Sequence, residues 1–457
     1  MITLNDYIKS LNTAKTYNKT KYLLKWINEK NKTTYVDIKE IKLEDSNYWF
    51  YDKKEGAIRN KNNSFFSIKG IEKYKLGKLL ESHPIIIQDE IGYLGIITSK
   101  INGVLHFLMQ AKIEPGNINK VQISPTIQAT KSNFLQKHGG KKPAFLEYFI
   151  NSEKYEIIVD QIQSEQSSRF YKKRNRNVIL YIKDHIKESE NFRWFTLGQI
   201  KKLMKYDNLV NMDTRTVLSC IPYSTLKREK FTEDINNSIF LNQLNLKINH
   251  EKIKKIYYSL NNKKMFNNYS IRLTDLYSLN NWKMEHGKFQ DIENKYPFEV
   301  IFADITIQGR EVYNWTQPLF KAKGKATFGL VFFEEDGVIH FIIKEKPEIG
   351  CFDYVELGPT IQKEFNDNFE DNIEKLFEQN LIRNSGIIAK VLLSEEGGRF
   401  YQEQNLNIIM KIDKNELNKI YLPKEYHIID FITLNKMIQT NNLINIQLRN
   451  LISLLEG

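Results

Sequence analysis

The sequence predicts an α+β protein built from two homologous modules, each a mixed sheet flanked by helices. Three observations carry this. The chain repeats itself along most of its length, both copies show one order of helical and β-branched segments, and the bulk composition is globular. At 457 residues the chain exceeds one ordinary core, so two domains are expected. Its 41% hydrophobic and 27% charged residues exclude a disordered or membrane class.

The duplication is the strongest signal. GVLHFLMQAKIEPGNINKVQISPTIQ, residues 103–128, aligns without a gap to GVIHFIIKEKPEIGCFDYVELGPTIQ, residues 337–362. Matched pairs include Gly103/Gly337, His106/His340, Lys112/Lys346, Glu114/Glu348, Gly116/Gly350, Thr126/Thr360 and Gln128/Gln362. Further on, SEQSSRFYKKRNRN (164–177) faces SEEGGRFYQEQNLN (394–407), and Asn208-Leu209-Val210-Asn211 faces Asn442-Leu443-Ile444-Asn445. Arg215 faces Arg449. The repeats are assigned to residues 1–225 and 240–457, with a polar linker over 225–245.

Each unit starts with a helical leader, LNDYIKSLNTAKTYNKTKYLLKWINEK in the first and a weaker one near 250–262 in the second. Short apolar, β-branched runs follow in the first unit: HPIIIQ, LGIITSK, VLHFLMQAK, VQISP, YEIIVDQIQ and NVILYI. Next comes FTLGQIKKLMKYD, where Leu197, Ile200, Leu203 and Met204 recur at helical spacing, and then a helix in DTRTVLSCI.

Several function classes are excluded. There is no long apolar span and no apolar signal core near residue 1, so neither membrane insertion nor secretion is expected. The only cysteines, Cys220 and Cys351, form no CxxC, which points to a reducing cytoplasm and no metal site. The absence of GxGxxG, P-loop, HExxH and GxSxG patterns removes common dehydrogenases, kinases and serine hydrolases. A net charge of +12 suits a polyanionic partner, either nucleic acid or a nucleotide diphosphate.

The first repeat holds the richer polar set and is the candidate active-site module. Lys172, Lys173, Arg174 and Arg176 face Gln402, Glu403, Gln404 and Leu406, and Asp213 faces Gln447. Arg169, Arg174 and Arg176 offer planar bidentate donors to phosphate, although a solvated basic turn explains them equally. On a strand, Arg174 and Arg176 would share one side and Asn175 and Asn177 the other. His138, beside Gly139 and Gly140, is a proton-transfer candidate or an ordinary surface histidine. Glu114, Glu147 and Glu165 are acid–base candidates. Glu114, Glu165, Lys112 and Gln128 recur in the second copy, so each could serve the fold instead. Tyr48, Trp49 and Trp194 could stack on a base or fill the core.

FLMQAKIEPGN, VQISPTIQATKSN, HGG, SEQSSRF, KKRNRN, FTLGQIKKLM and NLVNMDTRT together resemble the NDP-hexose 2,3-dehydratases over nearly the whole chain. That resemblance implies two Nudix-like modules, a homodimer, one productive pocket and a second, degenerate one. It implies a hydro-lyase that removes the C2 hydroxyl of a nucleotide-linked 4-keto-6-deoxy sugar, with dTDP as the expected nucleotide. The reaction would need no external redox cofactor, a 3-ketoreductase would consume the product, and no nucleic acid or membrane would take part. With it, His138, Glu165 and Lys112 are expected to be catalytic. Arg169, Lys172, Lys173, Arg174 and Arg176 would hold the diphosphate, and Gln128, Asn133, Asp213 and Arg215 the sugar or its surrounding loops. A Nudix-like hydrolase and a basic nucleic-acid-binding protein are the alternatives. The Nudix metal-binding helix signature is absent.

Overall fold

The computed structural model describes residues 1–130, 142–227, 241–310 and 312–455. Asn133 and His138, and most of the expected linker, lie outside them. The leader of the first repeat is two helices, Leu4–Asn12 and Thr20–Thr33, rather than one. The apolar runs become strands that alternate or are fully buried, and helices Leu197–Leu203 and Met212–Ser219 follow as expected. Helix His250–Met265 is the leader of the second repeat. Strands between residues 36 and 75 were not foreseen, because their burial is one-sided and their apolar content low.

Among the described residues each repeat carries a seven-stranded mixed sheet. In the first, Arg174–Tyr181 runs parallel to Gly92–Ile101, and the latter pairs antiparallel with Val104–Ile113. The second repeats this with Gln404–Lys411, Thr327–Glu335 and Val338–Lys346. Each repeat also carries a smaller sheet whose leading strand comes from the other copy. Val36–Ile41 pairs with Phe298–Ile307, and Tyr269–Thr274 pairs with Ser67–Lys75. The exchange covers a sheet edge on each side that would otherwise be unpaired.

The packing is shared in the same way. One apolar core joins Leu105, Phe107 and Val217 of the first repeat to Leu330, Phe341 and Leu451 of the second. A second core joins Trp49, Phe66 and Phe170 to Trp282, Phe298 and Phe400. The recurring asparagines are helix caps: Asn211 accepts a hydrogen bond from the Thr214 amide, and Asn445 from the Leu448 amide. The paired glycines are close approaches between repeats. The Gly116 amide donates to the Gly397 carbonyl at 2.6 Å and the Gly350 amide to the Ser167 carbonyl at 2.8 Å. A Cβ on either would run into a backbone carbonyl of the opposite copy, that of Phe400 or of Phe170. No helix among the described residues is long and apolar enough to cross a membrane.

Candidate active site

A cavity of about 500 Å³ opens beside the sheet of the first repeat. Its floor is built by strand geometry. Lys112 projects from the end of Val104–Ile113, Gln128 from Ile127–Ala129 and Asn175 from Arg174–Tyr181. Asp213 enters from the first turn of the Asn211-capped helix, and Glu165 and Lys173 from the two ends of the loop between strands. The opposite wall comes from the second repeat. Glu396, Gly398 and Arg399 lie in its turn after Ile387–Ser394, and Arg310 and Trp315 lie at the turn end of its hairpin Phe298–Ile307/Asn314–Ala322. Tyr48, Trp49 and Phe65 add an aromatic side.

The charged groups are held rather than loose. Lys112 lies 3.4 Å from Glu114, which accepts a 2.8 Å hydrogen bond from the Gln128 side-chain amide. Asn211 in turn donates to the Gln128 side-chain oxygen at 3.2 Å. Asn175 donates to Glu165 Oε1, whereas the buried Oε2 has no hydrogen-bond partner among the described residues. The ammonium of Lys173 donates to the Glu90 carbonyl. Arg399 donates to Gln88 at 3.0 Å and lies 4.2 Å from the centre of the Phe65 ring.

Burial sets the protonation. It pushes the Glu165 carboxyl above the usual range, against the opposing pull of Arg449, Lys173 and Arg399. It raises Asp213 further, with Glu165, Glu114 and Glu396 adding repulsion. Glu396 rises to about 7, through burial first and Glu114 next. Lys173 falls to about 8, again through burial. A carboxyl placed as Glu396 is can exchange a proton near neutral pH, as acid–base chemistry beside a carbonyl requires.

Five of the expected residues meet here: Lys112, Gln128, Glu165, Lys173 and Asp213. Five others do not line this cavity. Arg169 stacks on Phe298 of the second repeat at 4.2 Å and pairs with Glu364 at 3.3 Å. Arg174 stacks on Phe352, Arg176 pairs with Asp160, and exposed Lys172 lies over Tyr171. Arg215 is wholly buried and donates to the Ser394 carbonyl at 2.7 Å. The expected alternation holds along the strand, but it is the asparagine side that turns inward, because Asn175 and Asn177 are buried. Glu147 is exposed, and Trp194 is core, donating to the Ile186 carbonyl at 2.9 Å. Glu396, Arg399 and Arg310 were missed. Their one legible signal was the Arg169/Arg399 match, since in an interlocked duplication each copy's residue can serve the other's pocket.

The sequence model of a family described as NDP-hexose 2,3-dehydratase matches residues 20–221 and again 253–455. The chain belongs to the NDP-hexose 2,3-dehydratase family. The double match coincides with the two repeats, and this dehydratase is therefore a hydro-lyase of deoxysugar biosynthesis. It is 31% identical over 443 residues to a dTDP-4-dehydro-6-deoxy-alpha-D-glucopyranose 2,3-dehydratase of Saccharopolyspora spinosa, covering 94% of this chain and 90% of that protein. Enzymes of the same description from Amycolatopsis orientalis and Streptomyces violaceoruber are each 30% identical, with 94% of this chain and 88% and 95% of theirs covered.

The second repeat keeps Lys346, Glu348, Gln362 and Glu395 at matching positions but has Glu403 for Lys173 and Gln447 for Asp213. There Arg169, the counterpart of Arg399, is paired with Glu364, whereas Arg399 meets the neutral Gln88.

Proposed function

We propose that the dehydratase acts on dTDP-4-keto-6-deoxyglucose in the first-repeat cavity, with Glu165 removing the C3 proton. What supports this is the meeting there of a buried Glu165 oxygen, unpartnered among the described residues, with Glu396, Asp213, Lys112 and Lys173. The 4-keto group makes the C3 proton acidic by delocalising the carbanion as an enediolate. The ammonium groups of Lys112 and Lys173 stabilise the C4 oxygen as charge develops. The C2–O bond then breaks, Glu396 gives its proton to the departing hydroxide, and water leaves. The enol ketonises by taking a proton at C2 and losing the C3 hydroxyl proton, which yields the 3,4-diketone with no external redox partner.

The diphosphate role passes from Arg169, Arg174 and Arg176 to Arg310 and Arg399, which line the cavity. Asp213, kept neutral by burial, donates to a sugar hydroxyl, and Gln128 holds Glu114. Tyr48 and Trp315 flank the base. We further take each module to be Nudix-like, from its mixed sheet with one central parallel pair, and the enzyme to be a cytoplasmic homodimer serving a 3-ketoreductase.

The test supplies dTDP-4-keto-6-deoxyglucose with a 3-ketoreductase and NADPH, and follows mass. The native enzyme gives loss of water plus reduction, and Glu165→Gln gives neither. A cleaved diphosphate would instead favour a hydrolase, and a fully active Glu165→Gln would remove Glu165 as the base.

A further inference from the structure

The residue holding the proposed base in place comes from the far end of the chain. Arg449 lies in the helix Ile446–Leu454, the last described helix of the second repeat, and is wholly buried. Its Nη2 donates to the carbonyl of Ser164, the residue directly before Glu165, and its Nε donates to the Ile444 carbonyl at 3.1 Å. Its Nη1 is buried with no hydrogen-bond partner among the described residues. A buried guanidinium left one donor short is costly if hydrogen bonding is its only purpose.

The arrangement is mirrored. Arg215 of the first repeat donates to the Ser394 carbonyl at 2.7 Å, and Ser394 heads the turn that brings Glu396 into the cavity. The two arginines sit on neighbouring, mutually packed helices, Met212–Ser219 and Ile446–Leu454. Each therefore grips, from its own repeat, the strand end that carries the other repeat's acidic side chain.

We propose that Arg449 is a positioning residue for dehydration, which sets the place and the charge of Glu165 from the second repeat. This rests on the reading of Glu165 as the C3 base. The groups facing Glu165 are Arg449, Lys173 and Arg399 among the cations, and Asp213, Glu395 and Glu396 among the acids. Of the cations Arg449 acts most strongly in favour of the carboxylate. Without it the carboxylate is harder to form, so a rate that needs Glu165 ionised is lost at a higher pH on the acid side.

The experiment measures kcat and KM against pH for the full-length wild type, Arg449→Met and Arg449→Lys, with circular dichroism for the folded fraction. For Arg449→Met the expected result is a kcat lower by about 100-fold, as small misplacements of a reacting group produce. KM should stay within about twofold, because ground-state binding is untouched. The acid limb should move to higher pH, and Arg449→Lys should recover most of the rate and of the limb. If Arg449→Met does not fold, Arg449→Gln, which keeps a donor for the Ser164 carbonyl but no charge, decides: an acid limb displaced upward supports the role, and an unmoved limb overturns it. A rate loss that only tracks the folded fraction overturns it as well. Glu165→Gln separates the two claims. An inactive Glu165→Gln with an unmoved Arg449 limb removes the positioning role alone, and an active Glu165→Gln removes the base reading beneath it.

Discussion

At the residue scale, the duplication provides its own controls. Glu356 and Gln122 occupy matched, fully buried places, and each contacts a serine of the opposite repeat. Gln122 donates to Ser394 Oγ at 2.8 Å, and Glu356 accepts from Ser164 Oγ at the same distance. Burial pushes the Glu356 carboxyl up to about 8, with repulsion from Glu348 adding to it. Its unfolded counterpart ionises near the ordinary carboxylate value, so folding is favoured at low pH and that advantage is lost as pH rises toward 8. Glu356→Gln should therefore leave stability at pH 4 nearly unchanged and raise the melting temperature at pH 8. Each pH step of one between the ordinary carboxylate range and the raised value contributes at most about 1.4 kcal/mol to that gain. A variant with no pH-dependent gain would mean that Glu356 is already ionised in the folded protein. Glu396, raised to about 7, gives the complementary catalytic prediction. If it must be protonated to release hydroxide, kcat falls above about pH 7, and Glu396→Gln removes this alkaline limb and lowers kcat at least about 100-fold.

At the element scale, the turns between repeats are more constrained than the strands they join. The Gly116 turn is stitched to the opposite copy from both sides, since its carbonyl accepts from the Gln402 amide at 2.7 Å. Gly116→Ala should cost about 2–3 kcal/mol by forcing two backbones apart, readable in a denaturant melt. Because the Gly397 and Phe400 turn that moves also carries Arg399, KM for the nucleotide sugar should rise with it. A glycine match visible in sequence thus turns out to be contact between copies. The basic run 169–176 illustrates the opposite case. Its charges were legible, but nothing local states that Arg174 meets Phe352 or that Arg169 meets Phe298, both far along the chain.

At the scale of the whole molecule, the repeats interlock. Exchange of Val36–Ile41 and Tyr269–Thr274, together with a core drawn from both copies, leaves neither half able to bury its own apolar surface. Residues 1–227 and 241–457 expressed separately should each be unfolded or aggregated by circular dichroism and size exclusion. Co-expressed, they should associate and recover dehydration. Two independently folded halves would contradict the shared core. The same interlocking places Glu396 and Arg399 of the repeat without Lys173 and Asp213 equivalents in the wall of its neighbour's cavity, and Arg449 against the Ser164 carbonyl behind it.

Sequence alone determined the duplication, the mixed α and β class and the family, because these rest on local periodicity and on long, ordered matches. Lys112, Gln128, Glu165, Lys173 and Asp213 were found as polar residues clustered in the richer copy, with three of them recurring in the second. The tertiary structure alone decided which copy completes the cavity, which arginines face it and which are spent on stacking and pairing. The reason is physical: strand exchange sets contacts across more than two hundred residues, and no local pattern encodes which side of a repeat its partner will cover.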